Sequence, residues 1–496
     1  MAAHPAPAHQ PASGHSHPPS LQEFHWEPQP RAQALINELI ATFYARLPEA
    51  EAFAARLRQE TGTRFHDWID HIQVPTPATN NTLRNKLLDV GFTLRSQPGA
   101  PNCFVHQGAM FPEIVLVDAR TTAGAPEPMR VAIKVESVAD FIAANKVPDT
   151  YPVEGEPLSR IRRALAFQTP RAGELGATEL WVIERHGYRG YDTPRSDPAQ
   201  SLAMLRHLEN FRRRQRDFAD DAEGYRHVMR LIDDAVRDLG VDWSCDIFFA
   251  AEREFWQRRN RAGQVQKARQ DKLGLGWANH DHHTYRSSRE HFKALIQLLE
   301  KLGFRSRERF YAGHEAGWGA QVIEQPVTHI TIFADVDMSP EELQGDFAHE
   351  GLQAQDELGT VGLWCGLHGE AMLQAGMHHL ECQFDHLALC DQLRSASINH
   401  MDPFTTFPFL RQAFTEGERW PVSTLRLTRL VQAGKISRAQ AQLFRQGGAI
   451  GSHLENLERN DGYKGFNQQG VSHIIAKTDP RKQTSPAIPQ EDLIGA

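Results

Sequence analysis

The chain has 496 residues, 40% hydrophobic and 23% charged, enough for roughly two to four domains with cores of their own. Lys and Arg number 54 against 62 Asp and Glu, so the net charge of −8 argues against a basic nucleic-acid binder. No apolar run is long enough for a membrane span, the opening MAAHPAPAHQPASGHSHPPS lacks the apolar core of a signal peptide, and five scattered cysteines without a close pair point to a reducing cytoplasm.

In chain order, residues 1–20 read as a Pro/Ala/His-rich disordered tail. Residues 21–150 begin with a helix over QALINELIATFYARL (33–47). They continue as a strand IDHIQVP, a helix ending in LRNKLLDVGF, and the β-rich pieces TLRSQ, NCFVHQ, PEIVLVD and RVAIKVES. Residues 151–275 read as a helical insert: a loop to 176, a short strand ATELWVIE, then polar helices from about 198 to 272. Residues 276–340 repeat the first pattern, with HDHHTYRSS as a strand, SREHFKALIQLLEKLGF as an amphipathic helix, and RSRERFYAG, GAQVIEQP and HITIFADVD as three strands. Residues 341–496 mix strand-like GLWCGL and HHLECQF with helices near 422–458, and close on GYKGFNQQG, which reads equally as a lid loop over a site or as a plain turn. FDHLAL (384–389) repeats the Asp-His pattern but reads as structural, because no helix and three strands are evident after it.

The two β-α-β-β-β stretches match in register. Asp70-His71 corresponds to Asp281-His282. Gly91-Phe92 follows His71 much as Gly303-Phe304 follows His282. Glu113 and Glu324 each lie 42 residues after their histidine, and the last strands carry Glu136 and Asp335. The fold class expected is therefore α+β: paired β-α-β-β-β modules forming a cupped mixed sheet, with a helical insert and a helical C-terminal region. A histidine from each first strand and a carboxylate from a fourth strand would converge on the cup axis. Two neutral imidazoles and one carboxylate with open positions suit Fe(II), with Mn(II), Zn(II) or Ni(II) as other occupants. Strand alternation puts His280 on the face of His282, as a possible partner behind the ligands, and His283 on the other.

These residues resemble the vicinal oxygen chelate superfamily of glyoxalases and extradiol dioxygenases. The closest resemblance is to the 2-oxoadipate dioxygenase/decarboxylase (hydroxyglutarate synthase) family, over about 65–140 and 277–338. The resemblance implies His71, in a D-H-I strand, and His282 as metal ligands. It implies Asp335, in Phe333-Ala334-Asp335-Val336-Asp337, as the acidic ligand, and Arg286, four residues after His282, as the anchor of a carboxylate substrate. The family's arginine four residues after the first histidine is Pro75 here. Glu324 and Glu381 remain rival carboxylates. The implied activity is oxidation of a 2-oxo acid by O2 with decarboxylation. Its alternatives are a non-oxidative lyase or isomerase of glyoxalase type, or a metal-free binding protein. Neither nucleic acid nor membrane is expected as a partner.

Overall fold

The computed structural model describes residues 26–77, 79–121, 123–169, 176–314, 316–467, 470 and 479–480; the expected N-terminal tail lies outside them. Among them no helix is long and apolar enough to cross a membrane.

The first sheet starts with β1 (Ile69–Thr76), the helix Thr82–Asp89, β2 (Thr93–Gln97), β3 (Ala100–Val105) and β4 (Glu113–Asp118). The helix stops at Gly91, whose φ of +96° is the left-handed conformation that suits glycine. The chain then repeats the plan at once with β5 (Met129–Lys134), the helix Val138–Asn145, β6 (Val153–Glu154), β7 (Ile161–Gln168) and β8 (Thr178–Arg185). The strand order is β2-β3-β4-β1-β5-β8-β7-β6. β1 and β5 run antiparallel at the centre, and each is parallel to the last strand of its own module, so two β-α-β-β-β modules meet about a local pseudo-dyad.

The second sheet has the same plan. One module is β9 (His280–Arg286), the helix Phe292–Lys301, β10 (Arg305–Tyr311), β11 (Trp318–Glu324) and β12 (Thr331–Asp337). Its partner is β13 (His379–Gln383), the helix His386–Ser395, β14 (Thr405–Phe407), β15 (Leu410–Phe414), β16 (Glu418–Trp420) and β17 (Ala449–Arg459). The order is β10-β11-β12-β9-β13-β17-β15-β14, with β16 paired to β17. Gly303 ends the first helix of this sheet as Gly91 does, at φ +85°. Helices Pro198–Arg213, Asp221–Leu239, Val241–Gln257 and Arg261–Asp271 link the two cups.

The α+β class and the cupped modules stand, but the chain carries four modules where the sequence suggested two. The supposed loop and short strand of 151–185 are the end of a second module, so the helical part of the insert begins only at Pro198. RVAIKVES opens that second module as β5 and does not close the first. Residues 379–459 form a fourth module, and the helix and strands after FDHLAL are present. They were hidden because two helices, Thr424–Gln432 and Arg438–Gly447, interrupt the module before its 11-residue last strand. GLWCGL lies in the helix Thr360–His368. A short run that is apolar on every side reads alike as buried helix or strand.

Glu252 on the third linking helix joins the chain that leaves the first, its carboxylate meeting Arg214 at 2.9 Å and Arg216 at 2.5 Å in the buried interior, and it reaches the second cup by accepting from Tyr285 Oη of β9 at 3.4 Å. Burial alone would raise this carboxyl, but the two guanidiniums more than offset it and hold it below the ordinary range. Its stabilising contribution is present above the unfolded value of 4.5 and is lost as pH falls through the lower folded value. Glu252→Ala should lower the urea midpoint by the equivalent of about 3 kcal/mol at pH 7, because it strands buried cations. The gap between variant and wild type should narrow on acidification.

Candidate functional site

His282 sits at the centre of the second sheet. Its two ladder neighbours on the partner module, in register, are Glu381 of β13 and then Glu455 of β17. Residues directly opposite one another share a face, so the three side chains converge. His282 Nε2 lies 3.7 Å from Glu381 Oε1 and 3.9 Å from Glu455 Oε2, and one donor atom from each residue lies within 4.8 Å of the others. All three are buried, at 4%, 0% and 3% relative exposure.

Each is held from behind. Asp281 accepts a hydrogen bond from His282 Nδ1 at 2.8 Å, which leaves the Nε2 lone pair facing the carboxylates. Asp281 is in turn gripped by Arg459 through two 3.0 Å bonds and by Gln383 Nε2 at 3.0 Å. Glu381 accepts from Thr284 Oγ1 at 3.0 Å, and Glu455 from Gln412 Nε2 at 2.8 Å. Glu381 Oε2 is buried with no hydrogen-bond partner among the described residues. Phe333 and Phe466 pack on the His282 ring at 5.0 Å each; Phe466 belongs to GYKGFNQQG, which does close over this site through its described residues.

Without a cation this cluster is electrostatically frustrated. Burial and the neighbouring Glu455 push Glu381 well above the usual carboxyl range; burial raises Glu455 to about 8; burial lowers His282. Two buried carboxylates, an oriented neutral imidazole and an orphaned oxygen are a donor set that could hold a divalent cation. The buried rings of His378, His379 and His453 lie alongside, with His379 Nδ1 3.4 Å from Glu381 Oε1.

Arg286 and Asp335 flank this cluster on the same sheet face. Arg286 Nε is 3.9 Å from Asp335 Oδ2, and both Nε and Asp335 Oδ1 are buried without a hydrogen-bond partner among the described residues. Burial, only partly offset by Arg286, pushes Asp335 up to about 8. Asp335 lies beside the group whose donor atoms are within 4.8 Å of one another and is not part of it. Glu324 ends β11 and meets Lys464 at 3.1 Å. Its match with Glu113 in spacing is coincidental, because Glu113 starts a fourth strand, where it pairs with His71. The counterpart of Glu113 beside His282 is Thr331. His280 leaves the expected face: a bulge between Glu381 and Cys382 turns it onto the His283 ring at 5.3 Å.

The structure separates His71 from His282, because each is the central histidine of its own sheet. Around His71 the same scaffold is repeated almost atom for atom. His71 Nδ1 meets Asp70 at 2.7 Å, and Arg185 grips Asp70 at 2.9 Å twice. Tyr191 packs edge-on at 4.7 Å, where Phe466 packs on His282. Arg185 donates to the carbonyls of Tyr188 and Gly190 as Arg459 does to those of Tyr463 and Gly465. The difference is in the neighbours: ladder register sets Ala132 and Trp181 where the second cup has Glu381 and Glu455. Trp181 packs there with Ala132, Ile161, Leu165 and Ile183 in an apolar cluster. A signal for this lay in the sequence, as RHGYRGY (185–191) against RNDGYKGF (459–466).

No family model matches the chain, and no curated protein does. Among solved structures it is similar to a glyoxalase superfamily protein of Ralstonia eutropha, with 12% identity, 53% of this chain and 96% of that one covered, and a TM-score of 0.29. It is also similar to a mutant 4-hydroxymandelate synthase of Streptomyces coelicolor, with 13% identity, 70% and 97% covered, and a TM-score of 0.28. Methylmalonyl-CoA epimerase of Mycobacterium tuberculosis follows, with 13% identity, 37% and 89% covered, and a TM-score of 0.22. The assignment of four modules rests on this chain's own strand order and register.

Because Glu381 and Glu455 carry raised folded values, they stabilise the metal-free fold below their unfolded values and cost stability as pH rises through the folded ones. The double variant Glu381→Gln/Glu455→Gln, scanned in chelator at pH 9, should therefore unfold at a higher temperature than wild type.

Proposed function

We propose that the second cup is the active site of a metal-dependent enzyme acting on an acidic small molecule, in the first instance an Fe(II) enzyme that oxidises a 2-oxo acid with O2. The reading rests on the convergence of His282, Glu381 and Glu455 in front of the Asp281–Arg459 pair. These three residues would hold one divalent ion, and that ion would supply a Lewis-acidic centre with open positions for substrate oxygens and O2. In the balanced reaction a 2-oxo acid and O2 give a 2-hydroxy acid one carbon shorter, and CO2.

The protein's own contribution is positional and electrostatic. Arg286, whose Nε has no hydrogen-bond partner among the described residues, would take the substrate's remote carboxylate in charge-assisted hydrogen bonds. Asp335 Oδ1 is a place to hold a proton beside the substrate. Phe333 and Phe466 keep water from the histidine side. Arg459 and Asp281 fix the imidazole, so they act through His282.

One observation favours a second reading. The ligand set is one imidazole and two carboxylates, richer in oxygen than two imidazoles and one carboxylate, and such a set also suits Mn(II). A non-oxidative isomerase or lyase that polarises a carbonyl would use it equally well.

Metal analysis of anaerobically loaded protein, with oxygen uptake over a panel of 2-oxo acids, tests both. The expected result is one iron per chain, lost in Glu381→Gln/Glu455→Gln but kept in His71→Ala, with uptake that depends on substrate. Full metal content with no uptake for any acid would favour the second reading, and metal content unaffected by the double substitution would refute the site. Arg286→Ala should raise KM for an acidic substrate by roughly 100-fold, the worth of a charge-assisted bond of about 3 kcal/mol, while metal content stays unchanged.

A further inference from the structure

Between the two cups and the linking helices lies a cavity of about 1160 Å³, large beside typical small-molecule sites. Its walls are rich in charge, and nearly every carboxylate around its centre is already matched. Asp70 is held by Arg185, Asp281 by Arg459, Asp67 by Arg64 at 2.7 Å, Glu136 by Lys267 at 3.1 Å, and Asp246 by His186 at 2.9 Å.

The unmatched groups are cations and donors. Lys134, at the end of β5, has neither a hydrogen bond nor an ion pair among the described residues, although it faces the cavity. Three carboxylates, Asp70, Asp67 and Asp281, lie near enough to act on it, and burial still drives its ammonium below the ordinary lysine range. Arg253, 7% exposed, presents Nε and Nη1 with no partner, and His280 presents Nδ1 with none. Lys134, Arg253 and His280 all line this one cavity. Across the cavity His329, which also feels Lys134, is held at φ +57°, a left-handed conformation costly for a residue other than glycine and of the kind found at functional sites.

A buried arginine with two unpartnered nitrogens, beside a half-buried lysine with no ion pair among the described residues, is expensive unless something completes it. We propose that this cavity is a second ligand site, built for a small multiply charged anion that Lys134 and Arg253 would bind together, with His280 as a further donor. It is separate from the metal cluster, since neither His282, Glu381 nor Glu455 lines it, and it does not depend on the function proposed for that cluster. The shared chemistry is a polyphosphate or a polycarboxylate.

Calorimetric titration of the purified full-length protein with pyrophosphate and, separately, with tricarballylate tests this and tells the two sources apart. At least one anion should bind saturably at one per chain, and at least ten-fold more weakly in Lys134→Met and in Arg253→Met. Binding should persist in Glu381→Gln/Glu455→Gln, which separates the cavity from chelation at the other site. Absence of saturable binding by both anions, unchanged binding in Lys134→Met and Arg253→Met, or loss confined to the double glutamine variant would overturn the proposal. Thermal unfolding is the second check. Lys134→Met should leave the unfolding temperature unchanged or raised, since no ion pair is lost, and a marked fall would instead assign the lysine a structural role.

Discussion

The buried pair of Asp281 and Arg459 is the constraint on which the candidate site depends. A carboxylate and a guanidinium that leave water together need near-ideal geometry to offset their desolvation. Here the two-bond grip supplies it, and Gln383 adds a third bond to the carboxylate. That grip fixes three further things. It leaves Asp281 one direction in which to accept the His282 hydrogen bond, so the imidazole presents Nε2 to Glu381 and Glu455. It ties the end of β17 to the start of β9 across the width of a strand. Through Arg459 Nη1 it also pins the carbonyls of Tyr463 and Gly465, which carries Phe466 onto the histidine.

The same device in the first cup shows what it does and does not determine. Asp70, His71, Arg185 and Tyr191 reproduce the clamp, yet Ala132 and Trp181 replace the two carboxylates. The clamp is thus a solution to holding a histidine at the seam of two modules, and chemistry is added by its ladder neighbours. With Trp181 in place the partner-module side of the first cup becomes an apolar cluster, while the same side of the second keeps two buried carboxylates that cost stability in the absence of a cation. Between the cups the two clamps turn their charged backs to a common cavity, where their carboxylates are spent on their own arginines. That leaves Lys134 and Arg253 uncompensated.

Much of the second cup was legible in the sequence. Asp-His at a strand start, a helix closed by Gly-Phe, and three strands after it correctly located β1 and β9 with their modules, because a glycine that ends a helix in a left-handed conformation and a buried phenylalanine beside it are local requirements. Glu381 was recognised as a rival carboxylate and Arg286 lies on the site's face. The pairing of His71 with His282 failed for a non-local reason. Each sheet closes with a module that follows it directly in the chain, and those modules were obscured by a two-residue β6 and by the helices inserted before β17. The matches through Glu113, Glu324, Glu136 and Asp335 were coincidences of spacing, which loops of different length readily produce. Glu455 escaped notice because it lies within a long buried strand with no motif around it, although RNDGYKGF just beyond β17 echoed RHGYRGY.

The sequence by itself determined the module: its strand and helix periods, the glycines that end its helices, the Asp-His step and the arginine-led turn that grips it. Each of these depends on residues within a few positions of one another or on a side chain's intrinsic preference. Which histidine meets which carboxylate was decided only by the tertiary structure. Register across the β9–β13–β17 ladder sets Glu381 and Glu455 beside His282 from about 100 and 170 residues away, and a ladder one residue out of step would have turned both to the opposite face.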